Sequence, residues 1–180
     1  MKQKIIKEIE IPEGVEVKID GRVLTVKGSE GELSREFEME GFRFEVKEGK
    51  IIIGYDKSTK REKKLINTTD AHIHNMINGV QNKFEYKLKI CFNHFPITID
   101  LKDNEAVIKN FLGEKIPRHA KIVNGAEVNV KGQGITITSL NKEVAGQTAA
   151  NFEKATKVKN RDRRIFQDGI FITSKPGREI

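Results

Sequence analysis

The chain has 180 residues but one cysteine, no tryptophan and two tyrosines. Cys91 alone closes no intrachain disulfide, so an oxidising compartment is neither required nor excluded. No stretch reaches the roughly 18 apolar residues of a membrane-spanning helix. The opening MKQKIIKEIEIPEGVEV lacks a continuous apolar segment and passes directly into strand-like alternation. Neither a secretory leader nor a membrane partner is expected, and the default compartment is the cytosol.

Chemistry-bearing motifs are also missing. There is no phosphate-binding loop and no dinucleotide fingerprint; glycines occur singly or as Gly132-Gln133-Gly134. Gly28 to Gly31, GSEG, has the form of the loop with which KH domains clamp nucleotides, but strands rather than helices flank it, so it reads as a turn. His72 and His74 sit two apart on a predicted helix and do not face each other. Cys91 and His94 are close in sequence, yet no further cysteine completes a zinc set and nothing orients a Cys–His nucleophile. Glu8, Glu10, Glu36, Glu38 and Glu40 alternate with basic neighbours as on a solvated sheet face. No enzyme activity, cofactor, metal or small-molecule substrate is therefore expected.

Charge is what the chain does have. Its net charge is +7, and the excess lies entirely in the second half. Residues 1–80 hold fifteen Lys/Arg against fifteen Asp/Glu, whereas residues 81–180 hold eighteen against eleven. Solubility alone needs no such asymmetry; an anionic partner that touches mainly one half accounts for it.

The hydrophobic pattern repeats. Val15, Val17 and Ile19 alternate, Asp20-Gly21 turns the chain, and Val23 to Val26 resumes an extended run. Phe42, Phe44 and Val46 follow, then Glu48-Gly49 turns into Lys50 to Tyr55. Thr59 with Glu62 fits a capping box. Leu65, Thr69, Ile73 and Ile77, with Ile66 and Met76 beside them, predict an amphipathic helix over roughly 59–78 that ends near Gly79. The second half has the same order. KFEYKLKICF reads as a strand; Ile97 to Leu101 turns at Asp103-Asn104 into Ala106 to Ile108; Val128 and Val130 turn into Ile135 and Ile137. A helix follows at about 141–156, with Val144, Thr148 and Phe152 beside Ala145 and Ala149. Ile11-Pro12 matches Phe95-Pro96, Val26-Lys27 matches Ile108-Lys109, Gly31-Glu32 matches Gly113-Glu114 and Ala71 matches Ala155, at offsets of 82 to 84. The expected fold is α+β: two tandem copies, residues 1–80 and 81–180, each a small, mostly antiparallel sheet with one main helix packed on it.

Three basic clusters stand out. Lys60, Arg61, Lys63 and Lys64 occupy the first turns of the first helix, where the dipole disfavours cations. They are either merely exposed or held by a partner's negative charge. Lys115, Arg118 and Lys121 surround Pro117 in what reads as a basic loop. Lys154, Lys157, Lys159, Arg161, Arg163 and Arg164 run from the second helix into the following loop, with Lys175 beyond. Cations suit a helix C-terminus, but their density past the helix exceeds that account and points to RNA or DNA phosphates. Ile165 to Phe171 reads as a turn at Asp168-Gly169 with strand on each side, holding the arginines in place.

At these residues the chain resembles a known family. Gln147 to Lys175, with NRDRRIFQDGIFITSK at its centre, is similar to the C-terminal signature of large-subunit ribosomal protein number six in its archaeal and eukaryotic branch. HFPITIDL from His94, NFLGEK from Asn110 and IPEGVEV near the start resemble the same family, so the likeness covers essentially the whole chain. The length favours an archaeal member. The resemblance implies a non-enzymatic constituent of the cytoplasmic ribosome that binds large-subunit rRNA, chiefly through its second domain. It also implies a place near the sarcin–ricin loop, beside neighbouring large-subunit proteins and close to where translation factors dock. It marks Lys115, Arg118, Lys157, Lys159, Arg161, Arg163, Arg164 and Lys175 as rRNA contacts, to which charge adds Lys121 and Lys154. Gln147, Phe166, Asp168, Gly169 and Phe171 are the expected structural frame of the signature. Phe171 departs from the family's frequent Tyr, losing a hydroxyl and keeping the ring. A free-standing RNA- or DNA-binding module outside the ribosome is the alternative from composition alone.

Overall fold

The computed structural model describes residues 3–38, 41–47 and 49–180. Glu40, read on a solvated face, and Glu48, read in a turn, lie outside the described residues. The chain divides into two compact units, Met1–Lys83 and Phe84–Ile180, each with its own hydrophobic core.

The first unit contains β1 (Gln3–Glu10), β2 (Glu16–Asp20), β3 (Val23–Lys27), β4 (Glu32–Glu36), β5 (Arg43–Lys47), β6 (Lys50–Ser58) and α1 (Lys60–Gln81). Its strands divide between two antiparallel sheets, ordered β1-β6-β5 and β2-β3-β4. Alternation predicts strands but not this division, because which strands pair depends on contacts distant in sequence. Helix α1 packs on strands of both sheets, burying Ile66, Thr69, Ile73, Met76, Ile77 and Val80 against Leu24, Val26, Ile51 and Ile53. Its start is the predicted capping box: Glu62 accepts from the Thr59 backbone N–H at 2.7 Å and from the Thr59 hydroxyl.

Two details of α1 differ from expectation. Leu65 is 39% exposed and Ile66 takes its place in the core. Twelve residues at about 100° each rotate Leu65 by about 120° from Ile77, off the buried stripe. The helix also continues through the buried Gly79 to Gln81, because Val80 is a core residue one turn beyond Ile77. The Val80 carbonyl accepts from the Glu30 N–H at 2.9 Å, so the GSEG turn satisfies one of the helix's terminal carbonyls. A side-chain Cβ at Gly28 would lie 2.7 Å from that same carbonyl oxygen, so the glycine is required by close packing rather than by any nucleotide.

The second unit contains β7 (Phe84–Cys91), β8 (Thr98–Lys102), β9 (Glu105–Lys109), a 3-10 turn (Phe111–Gly113), β10 (Arg118–Lys121), β11 (Glu127–Lys131), β12 (Gly134–Ser139), α2 (Lys142–Ala155), β13 (Gly169–Lys175) and β14 (Arg178–Glu179). The sheet β10-β9-β8 corresponds to β4-β3-β2, and β11-β12-β7 corresponds to β5-β6-β1. The duplication is thus one of topology as well as sequence. The second copy differs by an addition: β13 pairs antiparallel with the other side of β7, making a five-stranded sheet. Helix α2 packs on β7, β12 and β13 of this sheet and on β10 of the other, burying Ala145, Thr148, Ala149 and Phe152.

Candidate nucleic-acid interface

The basic run follows directly from the end of α2. Three long-range ties hold it. Buried Thr156 donates its hydroxyl to the Phe152 carbonyl (3.2 Å) and accepts from the Ile170 N–H (2.9 Å), joining the helix end to β13. Asp168, 8% exposed, accepts from the Asn93 N–H at 3.2 Å just beyond β7. Arg118 supplies the third.

Arg118 was expected in a loop as a phosphate contact. It begins β10, paired with Ile108 of β9, and its side chain is only 23% exposed. The guanidinium forks onto Glu114, Nε to Oε2 at 2.8 Å and Nη2 to Oε1 at 2.6 Å. Its Nη1 donates to the carbonyls of Ala155 (2.9 Å) and Lys157 (3.1 Å), and its Cζ lies 4.2 Å from the centre of the buried Phe111 ring. Arg118 therefore does for α2 what the Glu30 N–H does for α1: it satisfies a terminal helix carbonyl, that of Ala155, and it also pins the chain beyond the helix at Lys157. The Arg118 guanidinium hydrogen-bonded to Glu114 holds that carboxyl below its ordinary range, and Arg161 adds to the effect. Glu114 is presented by a tight turn in which Asn110, Leu112 and Gly113 have φ of 61°, 51° and 75°. For leucine this left-handed conformation costs about 1–2 kcal/mol.

The loop beyond is also built differently from expectation. No strand precedes Asp168; residues 162–166 form a turn. The Asp162 carbonyl accepts from the N–H groups of Ile165 (3.1 Å) and Phe166 (2.9 Å), and its Oδ1 accepts from the Arg164 N–H (2.9 Å). Short side chain-to-backbone bonds of this kind compete with strand pairing. The Arg164 guanidinium returns to the same carboxylate, Nη2 to Oδ2 at 2.8 Å, and lowers its pKa, so this arginine is already partnered. Arg161 lies over Phe166, with its Cζ 4.9 Å from the ring centre. Such stacking leaves the edge donors of the guanidinium open.

Lys115, Lys121, Lys154, Lys157, Lys159, Arg163 and Lys175 are exposed and make no ion pair among the described residues. The Arg118 clamp places the backbone of Lys157 beside β10 and Glu114, so Lys115 and the start of the run share one neighbourhood. Lys175 is not part of it. It ends β13, six residues from Gly169, a span of about 20 Å at strand rise. The expected frame divides too. Asp168 and Gly169 are buried, and a Cβ on Gly169 would press on the Phe171 ring at 3.0 Å. Phe166 is half-buried, whereas Phe171 is 42% exposed. Gln147 is an exposed helix residue that donates to Asn151 (2.9 Å), which in turn donates to the Lys121 carbonyl (2.8 Å).

Of the remaining candidates, the α1 lysines stay exposed and the histidines find local partners. Lys60, Lys63 and Lys64 lie on an exposed face of α1 beside a shallow depression with Asn67, Thr68 and His72. His74 contacts Asp70, His119 contacts Glu105, His72 packs on Phe37 and His94 on Phe95. No group of three His, Cys, Asp or Glu suited to a metal exists among the described residues. No helix among them is long and apolar enough to cross a membrane.

The sequence pattern of the family described as ribosomal protein L6 matches this chain twice, at residues 11–83 and 95–169, one match in each unit. A large ribosomal subunit protein uL6 from Methanobrevibacter smithii is 52% identical over 171 residues, covering 95% of this chain and 96% of that protein. Another, from Methanocella arvoryzae, is 45% identical over 171 residues, covering 94% and 97%. With a double match aligned to its two structural copies and whole-length relatives at this identity, the chain belongs to the ribosomal protein L6 family.

Proposed function

We propose that this protein is a structural, non-enzymatic constituent of the large subunit of the cytoplasmic ribosome, and that its second unit anchors it to large-subunit rRNA. The observation that carries the reading is the exposed set Lys154, Lys157, Lys159 and Arg163, free of ion pairs among the described residues, which runs from the last turn of α2 into a loop tied down by Thr156, Asp168 and Arg118. Fixed cations neutralise phosphates and release counterions, and a held loop loses little entropy on binding. Arg161 reaches phosphate with its open edge, while Lys115 and Lys121 extend the surface along β10. Arg118 acts inside the protein, and Lys175 makes at most a separate contact. The family resemblance adds a position near the sarcin–ricin loop, beside neighbouring large-subunit proteins and the docking region of translation factors.

The test is a chemical footprint of the purified protein on large-subunit rRNA, with Lys157→Ala and Arg163→Ala as controls. Discrete protection that weakens in both variants is the expected result; diffuse protection indifferent to them contradicts the assignment. Sedimentation with large subunits in high salt separates this reading from a free-standing nucleic-acid module, which would dissociate.

A further inference from the structure

The basic loop arches over a cleft of about 1210 Å³, between the ends of β7 and α2, the loop itself and the start of β13. Its walls include Phe92, Val158, Ile165, Phe166 and Phe171. Two are unusually open for apolar side chains: Ile165 is 74% exposed and Phe171 42%. Small-molecule pockets run to roughly 300–1000 Å³. This cleft is larger, which suits a segment of a chain better than an enclosed metabolite.

Its charges are layered. Lys154, Lys157, Arg163 and Arg164 are exposed along it, with Glu153 the one exposed carboxylate among them. The other acid lining the cleft, Asp168, is 8% exposed. One of its oxygens holds the Asn93 N–H and the other makes no hydrogen bond among the described residues. A phosphate is drawn to the rim and repelled from the interior. A base has the complementary properties: two π faces for the aromatic walls and, for three of the four bases, an amino group for the solvent-reached second oxygen of the recessed Asp168.

From this we infer that the cleft receives an unstacked base of an RNA chain, with the flanking phosphates held on the basic rim. The inference rests on the rRNA-binding reading and makes Phe171 and Ile165 contact residues rather than framework. It adds a preference that phosphate binding alone lacks: RNA with an unpaired, extruded nucleotide over the same RNA fully paired.

Two RNA hairpins test it, identical except that one carries a single bulged 2-aminopurine. The full-length protein is expected to bind the bulged hairpin about tenfold more tightly, with a change in 2-aminopurine fluorescence on binding; one base stack is of this order. Ile165→Asp and Phe171→Ala should each bring the affinity ratio close to one. Ile165 is exposed enough that its variant keeps the test valid should Phe171→Ala fail to fold. Equal affinities for the two hairpins, alongside retained binding to large-subunit rRNA, overturn the cleft assignment only. A preference that survives in the folded Ile165→Asp protein overturns it as well. Loss of binding to both hairpins and to the rRNA refutes the underlying reading, and the inference with it.

Discussion

Replacing Arg118 by alanine separates two roles that the sequence alone confounds. As a phosphate contact, Arg118 would affect RNA affinity and leave the fold alone. As a clamp, it would do the reverse. Alanine removes both bonds to Glu114, both bonds to the carbonyls of Ala155 and Lys157, and the contact with Phe111. A hydrogen bond to a charged group contributes about 1.5–3 kcal/mol, and four taken at face value overshoot. The Arg118 and Glu114 side chains are 23% and 36% exposed, so solvent screens the pair, and the orphaned groups partly rehydrate. A net loss of about 3 kcal/mol is expected, of which the ring contact supplies about 0.5–1. At a urea dependence of about 2 kcal/mol per molar, the midpoint of the second unit falls by about 1.5 M. Far-UV circular dichroism follows the transition. Amide exchange at Thr156 and Lys157 localises the damage to the end of α2. Arg118→Lys keeps the charge but not the planar fork, and recovers less than half. An unmoved midpoint with RNA affinity reduced as far as in Arg163→Ala would refute the clamp.

Three further expectations follow from the same geometry. Arg163→Ala lowers the slope of log affinity against log salt by about 0.7–0.9, one phosphate's worth, whereas Arg164→Ala lowers it less because Asp162 already engages that arginine; filter binding across a salt series measures both. Gly28→Ala drives a Cβ to within 2.7 Å of the Val80 carbonyl and costs the first unit about 1–3 kcal/mol, read as a lower urea midpoint. Glu114 has a folded pKa below its ordinary 4.5, so the folded state binds fewer protons; its contribution is complete above that value and disappears as pH falls through the depressed one. Wild type and Glu114→Gln should therefore differ in urea midpoint at pH 7 and converge on acidification below about 4.5.

Features set by neighbours in sequence were legible, and features set by distant contacts were not. The Thr59–Glu62 cap is complete within four residues and was readable from them. The end of α1 was not, because Val80 is held by Glu30 and Gly28 from the β3–β4 turn. The stretch RHAK of β10 has a single buried residue, Ala120, and no apolar alternation to mark it as a strand. It becomes one through pairing with β9. The charge asymmetry pointed to the second half, where Lys115, Lys121, Lys154, Lys157, Lys159 and Arg163 are exposed, yet charge does not reveal partnership. Arg118 and Arg164 carry the same formal charge as Arg163, and only the fold shows that Glu114 and Asp162 engage them. The cleft left no mark in the sequence, since its walls come from β7, α2 and the terminal loop, which are distant along the chain.

The extension, more than the duplication, distinguishes the two copies. Both carry the same two sheets and one helix, and in both a C-terminal carbonyl of the helix is met from the corresponding three-stranded sheet, by the β3–β4 turn in the first unit and by Arg118 at the start of β10 in the second. In the first unit the chain leaves α1 at Asn82 and moves on. In the second it must return along β7 to form β13, and the return crosses the end of α2. That crossing brings a dense cationic segment to the pole where the helix dipole already favours positive charge. It fixes the segment at both ends and leaves open the space beneath it. A graft of residues 157–175 after α1 would not reproduce this arrangement. In the first unit the Val80 carbonyl is met by the Glu30 backbone N–H, which cannot fork onto a carboxylate as the Arg118 guanidinium does. The surface proposed for rRNA therefore draws on the extension and on β10 together, and neither part alone presents it.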